Sequence, residues 1–123
     1  MGAWTESLPP VMSHKDQRIN GEKALRNIVL ALEQDRAGDA AMMLSYVQFA
    51  AASVRQWRKS LPKDQQSTRI DIGQAWERSN RDVLQRAIIA TTRADMDPHD
   101  PARWLRSAEA HLRTLGRRLM GEK

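Results

Sequence analysis

Apolar residues recur every three or four positions along most of this chain, and that spacing constrains its fold more than any other feature. Met43, Val47, Ala50, Val54, Trp57 and Leu61 step by four and three over nearly three heptads. Such a stripe lines one side of an α-helix; in a strand the same residues would fall on both faces. The spacing predicts a helix from about Ala40 to Leu61, with Asp39 as its cap and Pro62 as its stop. Tyr46 and Phe49 flank the stripe and are expected to widen the apolar face, and Ala50-Ala51-Ala52 permits close helix approach.

Three further helices follow from the same reasoning. Leu25, Ile28, Val29 and Leu32 mark a first helix that starts at Ser13 or at Asn20 and stops near Gln34. Asn20-Gly21 is either its cap or a break within it. The turn Asp35 to Asp39 contains Gly38, and so short a link favours an antiparallel pair. A third helix is expected after Thr68, with Asp71 completing a capping box. Its stripe is Ile72, Trp76, Val83, Ala87 and Ala90, with Leu84 and Ile88 beside it and Ser79 and Asn80 interrupting it. Asp100 caps a fourth helix, Pro101 takes its first position, and Leu105, Ala108, Leu112, Leu115 and Leu119 form its stripe. Gly116 inside that helix is a candidate for close helix contact.

The expected fold is therefore all-α, a small four-helix bundle with an irregular N-terminal arm. Pro9-Pro10 keeps residues 1–13 out of a helix, and Trp4, Leu8, Val11 and Met12 give that arm apolar residues to pack back on the bundle. Residues 14–123 read as a single helical domain. Composition supports helices over strands: Ala is the commonest apolar residue, with 16 copies, whereas Ile, Leu, Val and Phe together number 23. So thin a core favours self-association into a homo-oligomer, which gains further burial.

The 123-residue chain carries a net charge of +5, unevenly placed. Between positions 55 and 69, five cations (Arg55, Arg58, Lys59, Lys63, Arg69) face the single acid Asp64. From 101 onward, Arg103, Arg106, Arg113, Arg117, Arg118 and Lys123 face only Glu109 and Glu122. Between 70 and 100 the acids outnumber the bases. Cations near helix C-termini complement the macrodipole, which accounts for part of this layout. The chain has 15 Arg against 5 Lys, a bias toward planar, bidentate contacts with phosphate or carboxylate. The candidate binding residues are thus Arg55, Arg58, Lys59, Lys63, Arg69, Arg106, Arg113, Arg117 and Arg118. Their partner is expected to be nucleic acid or an acidic protein surface. No helix-turn-helix or other motif that reads base sequence is present. Trp57, Trp76 and Trp104 lie on or beside apolar stripes and read as core; Trp57 and Trp104 also neighbour arginines, a pairing that single strands exploit.

Catalytic and cofactor motifs are missing. The chain has no Cys, so it forms no disulfide, thiolate metal site or Cys nucleophile, and a reducing, cytoplasmic setting is expected. Asp95, Asp97, His99 and Asp100 crowd one loop, but a calcium loop starting at Asp95 needs Gly at 100 and Glu at 106, where Asp100 and Arg106 stand. No nucleotide loop, zinc spacing or Ser-His-Asp arrangement appears. Neither a cofactor nor a metal is expected. No apolar run is long enough to span a membrane, and no signal peptide is expected.

One pattern points to chemistry. Arg106 and His111 fit Arg-x4-His, which resembles the short signature of HEPN-type ribonucleases, small four-helix proteins that often place the site at a dimer interface. That resemblance implies Arg106 as a phosphate stabiliser and His111 as the group assisting 2′-hydroxyl attack. Beside it stands the plainer expectation that His111 packs near Trp104 and Leu115, since five helical steps set Arg106 and His111 about 140° apart. The leading expectation is a non-catalytic adaptor that contacts nucleic acid or nucleoprotein machinery through its Arg-rich faces. An inhibitor or assembly factor recognising an acidic partner is the alternative.

Overall fold

Three short polar side chains decide where helices begin. A computed structural model describes residues 14–61, 79–97 and 99–121. They form α1 (His14–Ala37), α2 (Ala40–Ser60), α3 (Asn80–Met96) and α4 (Pro101–Leu119), with no strand among the described residues. Asp39 accepts a hydrogen bond from the Met42 N–H, Ser79 from Asp82 and Asp100 from Arg103. Each cap satisfies a donor that the first helical turn leaves over. The architecture is the all-α four-helix bundle expected from the stripes. The 1–13 arm, with Trp4, and the 62–78 segment, with Trp76, lie outside the described residues.

Two helix boundaries differ from expectation. α1 passes through Asn20-Gly21 without a break and continues to Ala37, where Gly38 leaves the helix at φ +78. That left-handed conformation favours glycine. α3 starts at Asn80 instead of running on from Thr68. Ser79 is extended, with φ −64 and ψ 158, so no continuous helix crosses it. The polar interruption in the third stripe is itself a cap, and Ser79 with Asp82 repeats the spacing of a capping box.

Each helix packs on two others: α1 and α4 both touch α2 and α3. The corners of the bundle therefore read α1, α2, α4, α3. Short turns make α1–α2 and α3–α4 antiparallel. Arg58 meets Glu109, and Val47 lies beside Gly116, so α2 and α4 are antiparallel as well. It follows that α2 and α3 point the same way. The end of α2 lies level with Glu109 and the start of α3 with Arg118, roughly 14 Å further along the axis at 1.5 Å per residue.

The α2 seam is buried from Met43 to Leu61, and Leu105, Ala108, Leu112 and Leu115 of α4 are fully buried against it. α3 contributes Val83, Leu84, Ala87 and Ala90. On α1 the buried residues are Ala24, Ile28 and Ala31, with Leu32 packed beside them. Val29 is 46% exposed and Phe49 62% exposed, so neither joins the core as the stripes predicted. Small alanines at Ala24 and Ala31 set the inward side of α1 and rotate Val29 outward. Gly21 permits the closest α1–α2 approach: a Cβ there would sit 3.0 Å from the Trp57 ring. Gly116 does not play that part, since a Cβ on it would stand 3.9 Å from Val47, an ordinary contact.

Candidate functional site

The antiparallel pairing of α2 with α4 joins two basic stretches that lie far apart in sequence. Arg55 and Lys59 stand one turn apart on the exposed flank of α2, and Arg113 and Arg117 stand one turn apart on the exposed flank of α4. All four line one groove of about 530 Å³. Its floor is aliphatic: Val47, Ala51, Leu112 and Gly116, with Met120 at one end. Among the described residues, no aromatic side chain lines it. The floor follows from the seams, because small residues at Ala51 and Gly116 keep the space between the helices shallow and open.

A buried ion pair fixes one end of the groove. Glu109 is only 7% exposed and Arg58 16%, and the Arg58 Nε donates to Glu109 Oε2 at 2.7 Å. A carboxylate so deeply placed costs several kcal/mol in desolvation unless a cation meets it closely. Arg113 lies 3.8 Å from the other Glu109 oxygen, with its own side chain 60% exposed. Arg58, Arg106, Glu109 and Arg113 border a smaller cleft of about 150 Å³ beside the groove. Among the described residues lining the groove, then, are four cations (Arg55, Lys59, Arg113, Arg117) and one acid, Glu109, which Arg58 meets closely.

The other candidates are placed differently. Arg118 turns to α3 and donates to Asn80 Oδ1 at 3.0 Å. Lys63 and Arg69 lie outside the described residues. Arg58 is drawn inward to its ion pair. Of the two basic stretches, the structure therefore brings together Arg55, Lys59, Arg113 and Arg117 on one face, with Arg106 at its edge.

Arg106 and His111 lie on different flanks of α4. Arg106 shares the α2-facing side of α4 with Glu109 and Arg113. His111 is buried on the flank of α4 that carries Trp104 and Arg118, both of which contact α3. Its Nδ1 lies 2.8 Å from the Ser107 carbonyl oxygen.

The two tryptophans of the described residues, Trp57 and Trp104, are taken up within the bundle. Trp57 is buried beneath Gly21. The guanidinium groups of Arg93 and Arg103 lie 4.9 and 5.1 Å from the Trp104 ring centroid, within cation–π range. The Trp104 indole N–H donates to Asp97 Oδ2 at 3.1 Å, and the backbone N–H groups of His99 and Asp100 donate to Oδ1. The Trp104 hydrogen bond, aided by those from Asp100 and His99 and by the charge of His99, holds the Asp97 carboxyl below its ordinary range; desolvation opposes this more weakly. The acidic α3–α4 turn is thus organised around Asp97. Among the described residues, no three His, Asp or Glu side chains are grouped to hold a metal ion. No helix among them is long and apolar enough to cross a membrane.

Sequence reasoning missed two parts of the site. One is Glu109, buried at the groove's end; its signal was an acid flanked by Arg106 three before and Arg113 four after. The other is the aliphatic floor, visible only once α2 and α4 are known to be neighbours. Compared with known proteins, the chain matches no family model, no curated protein and no solved structure.

Proposed function

We propose that this chain is a non-catalytic adaptor that holds an anionic macromolecule on its α2–α4 face. The observation that carries this reading is the convergence of Arg55, Lys59, Arg113 and Arg117 on one groove, where Glu109, the one acid among the described lining residues, is met by Arg58. Cations set opposite one another on two rigid helices present an ordered positive field to a partner.

Two partner classes suit that field. Nucleic acid, or nucleoprotein machinery, would meet the basic rims through its phosphates; the excess of Arg supports this. An acidic protein surface would meet the rims through carboxylates. The accessible apolar lining favours the second, because phosphates make no use of Ala51, Ala52 and Met120. A cytoplasmic, self-associating protein fits the missing cysteines and the thin core.

The test is charge reversal. R113E/R117E should abolish capture of the partner in a pull-down and lower retention on single- and double-stranded DNA and RNA at low salt. Unchanged capture and retention would remove the α2–α4 face from the account. A nucleic-acid partner should show affinity that falls steeply with salt, as counterions are released.

A further inference from the structure

The groove joins two features that one class of ligand satisfies together. We infer that it receives an acidic amphipathic helix of a partner protein, about three turns long. This rests on the reading of the α2–α4 face as a contact surface for an acidic protein.

The dimensions come from the helices themselves. With Arg58 level with Glu109, Lys59 and Arg117 mark the two ends of the basic stretch, nine or ten residues apart along α4. At 1.5 Å per residue that is roughly 14 Å, and the Val47–Gly116 register lengthens it to about 20 Å, so the stretch spans about three helical turns. Neighbouring helix axes stand about 8–10 Å apart, so the floor admits side chains from a ligand lying along the groove. Apolar side chains at i, i+3, i+4 and i+7 of such a helix reach Ala51, Ala52 and Met120, the accessible apolar residues of the lining. Met120 is 53% exposed and flexible, a residue type that adapts to a helix laid over it. Acidic residues flanking that stripe meet Arg55 and Lys59 on one side and Arg113 and Arg117 on the other.

Nucleic acid matches this groove less well. A duplex is too broad to enter a space between adjacent helices and would rest on the rims alone. A single strand would need aromatic platforms for its bases, and among the described residues none lines the groove. The two tryptophans of the described residues are taken up elsewhere, one in the core and one beneath Arg93 and Arg103.

The probes are a synthetic peptide of about four turns with an apolar stripe flanked by Glu and Asp, a scrambled peptide of the same composition, and single-stranded DNA. Binding is read by fluorescence anisotropy, and peptide helicity by circular dichroism. The amphipathic peptide should bind about tenfold tighter than the scrambled one and gain helicity on binding. Ala51→Gln, which fills the floor, and Met120→Ala, at an exposed site that leaves the core intact, should each weaken it, whereas R113E/R117E should abolish it. Equal binding of both peptides would overturn the helix inference while keeping the anionic contact face. Tighter binding of DNA, indifferent to the two floor variants, would overturn it in favour of nucleic acid. Binding of none of the three probes would overturn both the inference and the reading beneath it.

Discussion

Arg58 and Glu109, 51 positions apart in sequence, form a buried ion pair at 2.7 Å that joins α2 to α4. The pair fixes how the two helices face each other, and so sets where the rims of the groove stand. Its worth is clearest when one half is removed. Glu109→Ala leaves the Arg58 guanidinium, 16% exposed, without its carboxylate. Breaking a buried pair on one side costs about 3–5 kcal/mol, and the residual exposure of Arg58 points to the lower end. Chemical denaturation measures this. The double variant Arg58→Met/Glu109→Leu should recover most of the loss, because well-packed apolar residues often replace a buried pair at little cost. If both variants lost the same stability, the pair would not be the cause.

The two helix-interior glycines should respond to alanine in opposite directions. At Gly21 the new Cβ would stand 3.0 Å from the Trp57 ring. Trp57 is buried and cannot swing aside, so overpacking of about 1–3 kcal/mol outweighs the gain in helix propensity of about 1 kcal/mol. At Gly116 the new Cβ meets Val47 at 3.9 Å, an ordinary contact, so the propensity gain stands and Gly116→Ala should stabilise. Thermal melts of the two variants check the pair; a shared sign would contradict the packing described.

Asp97 ties part of the acid stability to the α3–α4 turn. Its folded carboxyl titrates below the ordinary value of 3.8, first because Trp104 donates to it. The contribution is thus full above 3.8 and is lost as pH falls through the depressed folded value. Trp104→Phe removes the donor and should move the Asp97 titration upward in a carboxyl-carbon NMR experiment. An unmoved titration would show that the backbone N–H groups alone hold it.

Much of this fold was legible in the sequence, and its failures have physical causes. The α2 seam was read residue by residue because a heptad pattern with a capping Asp39 and a following Pro62 leaves little choice. The α1 stripe holds at Ile28 and Leu32 and fails at Val29. Val29 is apolar, but Ala24 and Ala31 are small enough to lie against a neighbour, and packing overrode hydrophobicity. Ser79 was read as a polar gap in a seam when it is the cap of a new helix; a serine three before an acid carries both meanings until the backbone chooses. From sequence alone the binding residues form two separate clusters. Which helices are neighbours depends on the long connection after α2, and nothing in the local pattern of either helix dictates its path.

Arginines outside the groove should matter less than those within it. Arg118 is hydrogen-bonded to Asn80 on the α3 side, so R118E should lower stability modestly and leave partner binding nearly unchanged. R113E/R117E should do the reverse. Denaturation curves and pull-downs run on both variants separate the two roles.

The proposed contact surface of this protein is the α2–α4 face. Amide chemical-shift mapping in the presence of an acidic amphipathic peptide, with single-stranded DNA as the comparison, tests it most directly. The expected perturbations centre on Ala51, Arg55, Lys59, Arg113 and Arg117, with α1 and α3 largely silent. Shifts centred instead on Arg36, Arg93 or Arg103, or none with either ligand, would contradict it.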